Sequence, residues 1–285
     1  MPIRVYNPTS AGRRNSSVNL HAEVTKKKPE KSLLVPKVKT GGRNSYGVIT
    51  SRGRGGGHKQ MYRKIDFKRA DRNDVVGTVV GIEYDPNRTC HIALIEYSDG
   101  VKRYIIAPLG LKDGDTVVAS DKFVEPKAGN CMPIKFIPTG LNIHCIEMVP
   151  GKGGQMCRAA GMYARLTNRE GGMATLVLPS GEIRKVSVEC RATIGQVGNP
   201  DHQNVRWGKA GRSRYKGRRP ITRAIVRNHN DHPLGGGEGK SKTGRPPVSP
   251  TGVFAKGGPT RGKKKASNKL IIRRRRSRRY GQLTL

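Results

Sequence analysis

Basic and acidic residues are unevenly distributed along this chain of 285 residues, and their distribution limits what the chain can fold into. Residues 1–60 contain 13 Lys and Arg against 2 Asp and Glu, residues 61–200 contain 19 against 15, and residues 201–285 contain 24 against 3. The nearly neutral centre can fold as an ordinary globule, whereas both ends repel themselves in water unless a dense polyanion lies beside them. The charge pattern therefore predicts a nucleic-acid-binding protein with a compact middle.

The composition favours small domains. Hydrophobic residues make up 34% of the chain and aromatic residues 5%, which argues against one core running through its whole length. If only the centre packs, two domains of roughly 60 to 70 residues each fit there, near the lower limit at which a core is stable alone. Bound RNA would then add stability by linkage, because it binds the folded state.

The cysteines indicate the redox environment. There are five of them, widely spaced and without a C-x-x-C pair, which argues against a zinc ribbon or a disulfide framework and favours a reducing compartment. No apolar run approaches the roughly 18 residues that suggest a membrane span. The N-terminus lacks the apolar region of a secretory signal. We therefore expect a cytoplasmic protein, rather than an organellar one, that binds no membrane.

Two groups of short strands are predicted in the centre, where runs rich in β-branched and aromatic residues alternate with turn residues. The first group comprises residues 75–84, 90–97, 101–107 and 116–119, with the strongest hairpin signal at Asp99-Gly100. The second group comprises residues 133–137, 142–149, 159–167, 173–178 and 182–190. This spacing predicts two small β-barrels divided near residues 122–130, since closure removes exposed sheet edges.

The basic ends have too few apolar residues to form a core of their own. Residues 1–59 show no helical or strand periodicity, and the Gly-rich segments Gly41–Asn44 and Arg52–Lys59 let the backbone approach a partner closely. After about residue 198 the strand pattern stops, and a helical turn or two near Trp207 is the regular structure expected there. We expect both ends to become ordered on RNA.

Two motifs in the C-terminal segment admit a catalytic interpretation. Gly239-Lys240-Ser241 resembles the end of a phosphate-binding P-loop, but Leu234 occupies the position of the required first Gly and no strand precedes it. Asp231 beside His232 suggests acid–base chemistry, yet adjacent residues seldom point at a common atom and no nucleophile accompanies them. An Asp that orients a His for hydrogen bonding to RNA is the favoured interpretation. The seven histidines form no metal-ligand pattern, so neither a metal nor a cofactor is expected.

Basic runs occur at residues 26–28, 263–265 and 273–276, and Trp207 and Tyr215 lie among Gly-rich segments. One such run is usually a solvated surface patch. Together with the aromatic residues, the runs indicate a chain that lies in RNA grooves, neutralises phosphates and stacks rings on bases.

Nine segments spread nearly end to end carry a family signal: Asn7–Arg14, Gly41–Asn44, Gly55–Lys59, Tyr62–Arg63, Ile65–Arg69, Gly208–Arg212, Gly217–Pro220, Asp231–Gly237 and Thr260–Arg276. In this order they resemble the bacterial-type large-subunit ribosomal protein L2 family. The resemblance implies a mainly β fold, with an OB-fold barrel followed by an SH3-like barrel, flanked by long extended basic arms. The ranges we expect are residues 1–60 and 199–285 for the arms, 61–125 for the OB-fold barrel and 126–198 for the SH3-like barrel.

The resemblance also implies a non-enzymatic structural constituent of the large ribosomal subunit. Such a protein binds large-subunit rRNA and supports assembly, subunit association, tRNA binding and the peptidyl-transferase region in translation. The implied partners are large-subunit rRNA, the small subunit across the intersubunit interface and neighbouring ribosomal proteins. The alternatives are an enzyme that acts on RNA through Asp231 and His232, and a free RNA chaperone.

The expected RNA contacts are basic and aromatic residues in or beside the matching segments, with Asp231 and His232 added in the tail. The full set is Arg52, Arg54, His58, Lys59, Tyr62, Arg63, Lys68, Arg69, Arg212, Arg214, Tyr215, Arg218, Arg219, Asp231, His232, Lys240, Arg273, Arg274, Arg275 and Arg276. No catalytic residue is expected among them.

Overall fold

Short β-strands make up most of the regular structure of this protein. The computed structural model describes residues 3–239, 244–256, 258, 260–278 and 281–283. Within these ranges 17 strands form five sheets. Two of the sheets are large and are built mainly from the centre of the chain, as the sequence predicts.

The first large sheet contains four antiparallel strands, β5 to β8, in the spatial order β7-β6-β5-β8. Their bounds are Val76–Glu83 for β5, Ile92–Tyr97 for β6, Lys102–Ile106 for β7 and Thr116–Val118 for β8. These bounds agree with the predicted runs to within two residues at each end. At the β6–β7 turn Gly100 has a φ of 76°, and the Val101 N–H donates to Asp99 Oδ1 at 3.2 Å, which confirms the predicted hairpin.

The second large sheet has seven strands in the order β15-β13-β12-β11-β10-β14-β9, all paired antiparallel. Six of them come from the centre of the chain: β9 (Cys131–Pro133), β10 (Asn142–His144), β11 (Ala164–Glu170), β12 (Met173–Val177), β13 (Ile183–Ser187) and β14 (Arg191–Ile194). The seventh, β15 (Ile271–Arg273), comes from the C-terminal arm and pairs with β13. The arm thus returns to the folded centre, which the sequence did not indicate.

Four of the predicted strand ranges in the second sheet are wrong. The run predicted at 159–167 becomes a strand only at Ala164 and continues to Glu170. The run predicted at 133–137 ends as a strand at Pro133, and Ile134–Phe136 form a 3-10 helix. The run predicted at 182–190 stops at Ser187, and a separate strand begins at Arg191. The run predicted at 142–149 is a strand only as far as His144. Apolar residues fill the core in turns as well as in strands, so an apolar run alone does not fix where a strand ends.

The arms contain short elements of their own, which are the strands β1 (Ile3–Val5), β2 (Ser17–Asn19), β3 (Leu34–Pro36), β4 (Met61–Arg63), β16 (Arg276–Ser277) and β17 (Gly281–Gln282), and the helix α1 (Ala210–Tyr215). The strands form three antiparallel pairs, β1-β2, β3-β4 and β16-β17. Strands of two or three residues are too short to show a periodicity, so the sequence did not predict them. Helix α1, together with 3-10 turns at Pro200–Asn204 and Ala224–Val226, confirms the helical turns expected near Trp207.

Each large sheet buries its own core. Val79, Ile95 and Val117 lie in the first core, and Ile143 and Leu176 lie in the second. The five cysteines are free, and burial raises the pKa of the Cys90, Cys157 and Cys190 thiols to about 11 and that of Cys145 to about 12. These thiols are therefore neutral at physiological pH and pack as small apolar side chains.

Two buried arginines join the large sheets. Arg191 donates from its guanidinium to the Arg69 carbonyl at 2.6 Å and to Asn73 Oδ1 at 2.8 Å, and it also pairs with Asp121. The guanidinium of Arg69 in turn donates to the Gly129 carbonyl at 2.7 Å. Since these bonds connect segments on both sides of the predicted division, they fix one sheet against the other.

Both arms are attached to the folded centre. The buried Tyr104 hydroxyl accepts the Glu30 N–H at 2.8 Å and donates to the Glu83 carboxylate at 2.7 Å. Near the other end of the N-terminal arm, the Ser17 N–H donates to the carbonyl of Arg206 in the C-terminal arm at 2.9 Å. These bonds hold the arms next to each other in a structure without RNA, which differs from the expectation that the ends become ordered only on RNA.

Candidate nucleic-acid interface

Residues 53–58 of the N-terminal arm and residues 215–219 of the C-terminal arm run antiparallel side by side, with a β-bridge between Arg54 and Arg218. We call this pair of segments the arm ribbon. Three backbone hydrogen bonds join it: Gly55 N–H to Gly217 O (3.0 Å), His58 N–H to Tyr215 O (3.0 Å) and Arg219 N–H to Gly53 O (2.8 Å). Two segments about 160 positions apart in the sequence therefore form one surface.

Glycine is required in the arm ribbon because the two backbones approach too closely for a side chain. A Cβ on Gly57 would lie 2.6 Å from the Gly217 nitrogen and 2.9 Å from the Tyr215 carbonyl oxygen, and Gly57 has a φ of +77°. A Cβ on Gly53 would lie 2.9 Å from a side-chain carbon of Ile221. The Gly-rich sequence thus serves the contact between the arms, in addition to any approach to RNA.

A groove of about 650 Å³ beside the arm ribbon is lined by Arg52, Arg54, Arg214, Arg218 and Arg219. We call it the arginine groove. All five arginines are exposed, and the other described residues that line the groove are neutral. Because none of these described residues is a carboxylate that could compensate the charges, the groove is suited to a ligand that carries several negative charges at close spacing.

Two aromatic rings, that of Tyr215 in the arm ribbon and that of Trp207 beside it, are accompanied by cations. Lys216 Nζ lies 4.2 Å from the centroid of the Trp207 ring, and the Arg218 guanidinium carbon lies 5.4 Å from it. The Tyr215 ring is 63% exposed, with Lys209 Nζ at 5.9 Å. Tyr215 therefore presents a ring on which a base can stack, while Trp207 helps to position cations.

The positively charged side chains of this surface repel one another, and burial together with this repulsion lowers a lysine pKa. Burial lowers the pKa of Lys216, and the neighbouring guanidinium groups of Arg218 and Arg212 lower it further. A polyanion bound beside Lys216 would oppose this shift, because nearby negative charge favours the ammonium form. The repulsion within the free protein therefore favours anion binding at this surface.

The expected contacts that precede the first large sheet divide into exposed and buried side chains. His58, Lys59 and Lys68 are exposed, and His58 Nδ1 donates to the Lys59 carbonyl at 2.8 Å. Arg63 and Arg69 are buried, at 9% and 5% exposure. Arg69 bonds between the two sheets, so its guanidinium is directed into the protein rather than outward.

Tyr62 belongs to the exposed group, although part of its side chain is covered. Its ring is 37% exposed, and the Arg88 guanidinium carbon lies 5.9 Å from the ring centroid. One side of the ring therefore faces a cation of the protein while part of it faces solvent.

Two further expected contacts hold the arms in place. Arg212 donates from Nη1 to the Ser17 carbonyl at 2.8 Å, and Arg274 forms an ion pair with Glu182 in which Nη1 and Oε2 are 2.6 Å apart. The neighbouring Arg273, Arg275 and Arg276 are exposed. Lys240 lies outside the described residues.

The histidine of the tail is buried inside its own loop. His232 is 4% exposed, and its Nδ1 accepts the Leu234 N–H at 3.1 Å. The loop is closed by the Gly236 N–H, which donates to the Arg227 carbonyl at 2.8 Å. Asp231 is exposed. Because Nδ1 is an acceptor, the neutral ring carries its proton on Nε2, and this arrangement shapes the loop.

Sequence reasoning singled out Gly41–Asn44 but not the rest of the loop between Gly42 and Ser51. It carries Tyr46, whose 88% exposure is greater than that of Tyr215, and it adjoins the arm ribbon. One sequence signal could have pointed to Tyr46 as a possible RNA contact. The residue lies in a stretch, between Glu30 and Asp66, that contains no Asp or Glu.

The described parts of the chain contain no group of three or more His, Cys, Asp or Glu side chains placed to bind a metal ion. No helix in the same ranges has the length and apolar character needed to cross a bilayer.

Two family models match this chain. The one described as "Ribosomal Proteins L2, RNA binding N-terminal domain" matches residues 30–119, and the one described as "Ribosomal Proteins L2, C-terminal domain" matches residues 127–252. The chain belongs to the ribosomal protein L2 family. A curated relative, the large ribosomal subunit protein uL2 of Rhodopirellula baltica, is 59% identical over 286 residues, which cover 100% of this chain and 99% of the relative.

Membership of the L2 family confirms the predicted fold class. The four-stranded sheet belongs to an OB-fold barrel and the seven-stranded sheet to an SH3-like barrel, with basic arms on either side. The arginine groove takes Arg52 and Arg54 from the part matched by the RNA-binding model, and Arg214, Arg218 and Arg219 from the part matched by the C-terminal model. The arginine groove is therefore formed jointly by the two parts of the chain that the two family models match.

Proposed function

We propose that this protein is a structural constituent of the large ribosomal subunit that binds large-subunit rRNA and supports assembly and translation. The observation that carries the proposal is the arginine groove, in which both arms contribute cations and no acidic residue takes part. The family and the full-length relative named for the large subunit support the same conclusion. The partners are rRNA, neighbouring ribosomal proteins and the small subunit, in a cytoplasmic ribosome of the bacterial type.

The proposed rRNA contacts are the exposed members of the predicted set. They are Arg52, Arg54, His58, Lys59, Tyr62, Lys68, Arg214, Tyr215, Arg218, Arg219, Asp231, Arg273, Arg275 and Arg276, together with Lys240. Arg63, Arg69, Arg212, Arg274 and His232 act by holding the barrels, arms and tail loop in position, since they are buried or bonded within the protein. We retain residues 1–60, 61–125, 126–198 and 199–285 as the domain division.

We expect the protein to co-sediment with large subunits and to leave them only at high salt. Each neutralised phosphate releases counterions, so affinity falls steeply as the salt concentration rises. The measurement is sucrose-gradient sedimentation of cell extracts over a series of salt concentrations, with detection of the protein in each fraction. Finding it mainly in the soluble fraction at physiological salt would favour a free RNA chaperone instead.

If His232 has no catalytic role, its replacement should change the rate of peptide-bond formation only slightly. In His232→Asn the Asn Oδ1 can take the place of Nδ1 and accept the Leu234 N–H, whereas His232→Leu leaves that N–H without this acceptor. We expect subunits that contain H232N to form peptide bonds at nearly the wild-type rate, and H232L to disturb the tail loop.

The measurement for this pair is single-turnover peptide-bond formation by assembled subunits. An acid–base catalyst typically contributes about 10²- to 10⁴-fold. A loss of that size in correctly assembled H232N subunits, with a changed pH profile, would support the enzymatic alternative.

A further inference from the structure

Residues 42–51 form a closed hairpin, which we call the tip hairpin. The Thr50 and Ser51 N–H groups donate to the Gly42 carbonyl at 3.0 and 3.1 Å, and Arg43 and Ile49 form an antiparallel bridge. A Cβ on Gly42 would lie 2.1 Å from the Ser51 carbonyl oxygen, so only Gly fits at this closure. These contacts give the tip hairpin a defined shape without support from a hydrophobic core.

One asparagine organises the turn of the tip hairpin. Asn44 Oδ1 accepts the N–H groups of Tyr46 and Val48, both at 3.0 Å, and the Asn44 N–H donates to the Val48 carbonyl at 3.0 Å. Gly47 completes the turn with a φ of +76°. Because the backbone of Tyr46 is already fixed, binding orders only its side chain and not the turn, which favours affinity.

The tip hairpin exposes apolar side chains that the fold does not use. Tyr46, Val48 and Ile49 are 88%, 59% and 50% exposed. Among the described residues, no hydrogen bond or ring contact involves the Tyr46 side chain. By contrast, Tyr97 and Tyr104 are buried in the OB-fold barrel. An ordered hairpin that presents an aromatic ring to solvent is suited to contact a partner.

The charge around the tip hairpin indicates the partner. No Asp or Glu occurs between Glu30 and Asp66, whereas Arg43 lies in the hairpin itself. The base of the hairpin adjoins the arm ribbon, since a Cβ on Gly42 would lie 3.1 Å from the Arg54 Cβ, and Ser51 also lines the arginine groove. A partner here must offer a flat apolar face together with dense negative charge. An unpaired nucleobase attached to its phosphodiester backbone has both properties.

We propose that Tyr46 stacks on an unpaired base of the same RNA whose phosphates occupy the arginine groove. This inference rests on the proposed rRNA binding and adds a base contact to it. The arginines neutralise the phosphates of the RNA backbone. The preformed tip hairpin favours an RNA strand that has an unstacked base at this place. A fully paired helix offers no such base to Tyr46.

The test is the affinity of the full chain for protein-free rRNA extracted from large subunits, measured over a series of salt concentrations. We expect Tyr46→Ala to weaken binding by about tenfold or more, the range found when an aromatic residue that stacks on a base is replaced. Tyr46→Phe should bind like wild type. The dependence of log affinity on log salt should stay the same in both variants, because stacking releases no counterions.

A matched control and a crosslink separate the possible outcomes. Tyr163 in the SH3-like part is 40% exposed, and Tyr163→Ala should bind like wild type. A photoreactive phenylalanine analogue at position 46 should crosslink to a nucleotide in assembled subunits. Wild-type affinity of Tyr46→Ala, or a crosslink to a protein only, would overturn the stacking contact and leave rRNA binding intact. Salt-independent binding of the wild-type chain would instead contradict the proposed function itself.

Discussion

Replacing all five arginines of the arginine groove with Gln is expected to weaken rRNA binding by about 10³-fold near physiological salt. Each arginine that contacts a phosphate contributes about one to the slope of log affinity against log salt, so the slope should fall by about four to five. The five side chains are exposed, so the fold should be retained. The measurement is a binding titration of the full chain with large-subunit rRNA at several salt concentrations, with circular dichroism as the check on folding.

The control for this experiment removes the same number of charges from the barrels. Lys112, Lys122, Lys152, Arg165 and Lys185 are exposed and belong to the region between the arms. If the geometry of the groove matters, their replacement with Gln should reduce the affinity and the salt slope much less. Equal losses in the two variants would mean that total charge, rather than the groove, determines binding, and the site assignment would then be wrong.

The barrels could be predicted from sequence because their strands have local signals. The exposed and buried residues alternate at the start of β5, and Asp99-Gly100 marks the turn of the next hairpin. Both signals lie within a few residues of the elements that they specify. They fail at Ile134–Phe136, where a 3-10 helix is as apolar as the strand before it.

The candidate site was only partly predictable, because its geometry depends on contacts distant in sequence. The basic and Gly-rich composition of the arms identified Arg54 and Arg218, but nothing local indicated that their backbones pair. Composition also cannot give the direction of a side chain. Arg69 lies in a basic motif of the RNA-binding type, yet it adopts a φ of 50° and bonds between the barrels.

Substituting Gly57 with Ala is expected to separate the arms, and a neighbouring glycine provides the control. Both Gly56 and Gly57 have positive φ values, +64° and +77°, so an Ala at either position is strained by about 1 kcal/mol. Only at Gly57 would the new Cβ also overlap another segment, since at Gly56 no atom lies within 4 Å of it. Any difference between the two variants therefore reports the contact with residues 215–219.

With the arm ribbon opened, two effects should appear together in Gly57→Ala. Trypsin should cleave faster after Arg52, Arg54 and Lys59, because a peptide segment must leave its hydrogen-bonded ribbon to enter a protease. The affinity for large-subunit rRNA should fall by about tenfold or more, since binding must now order several backbone residues, each at about 1–2 kcal/mol. Gly56→Ala should stay near wild type in both assays. Identical behaviour of the two variants would mean that the arms act as independent cationic segments, and that RNA alone, rather than the glycine-mediated contact between them, brings Arg54 and Arg218 together.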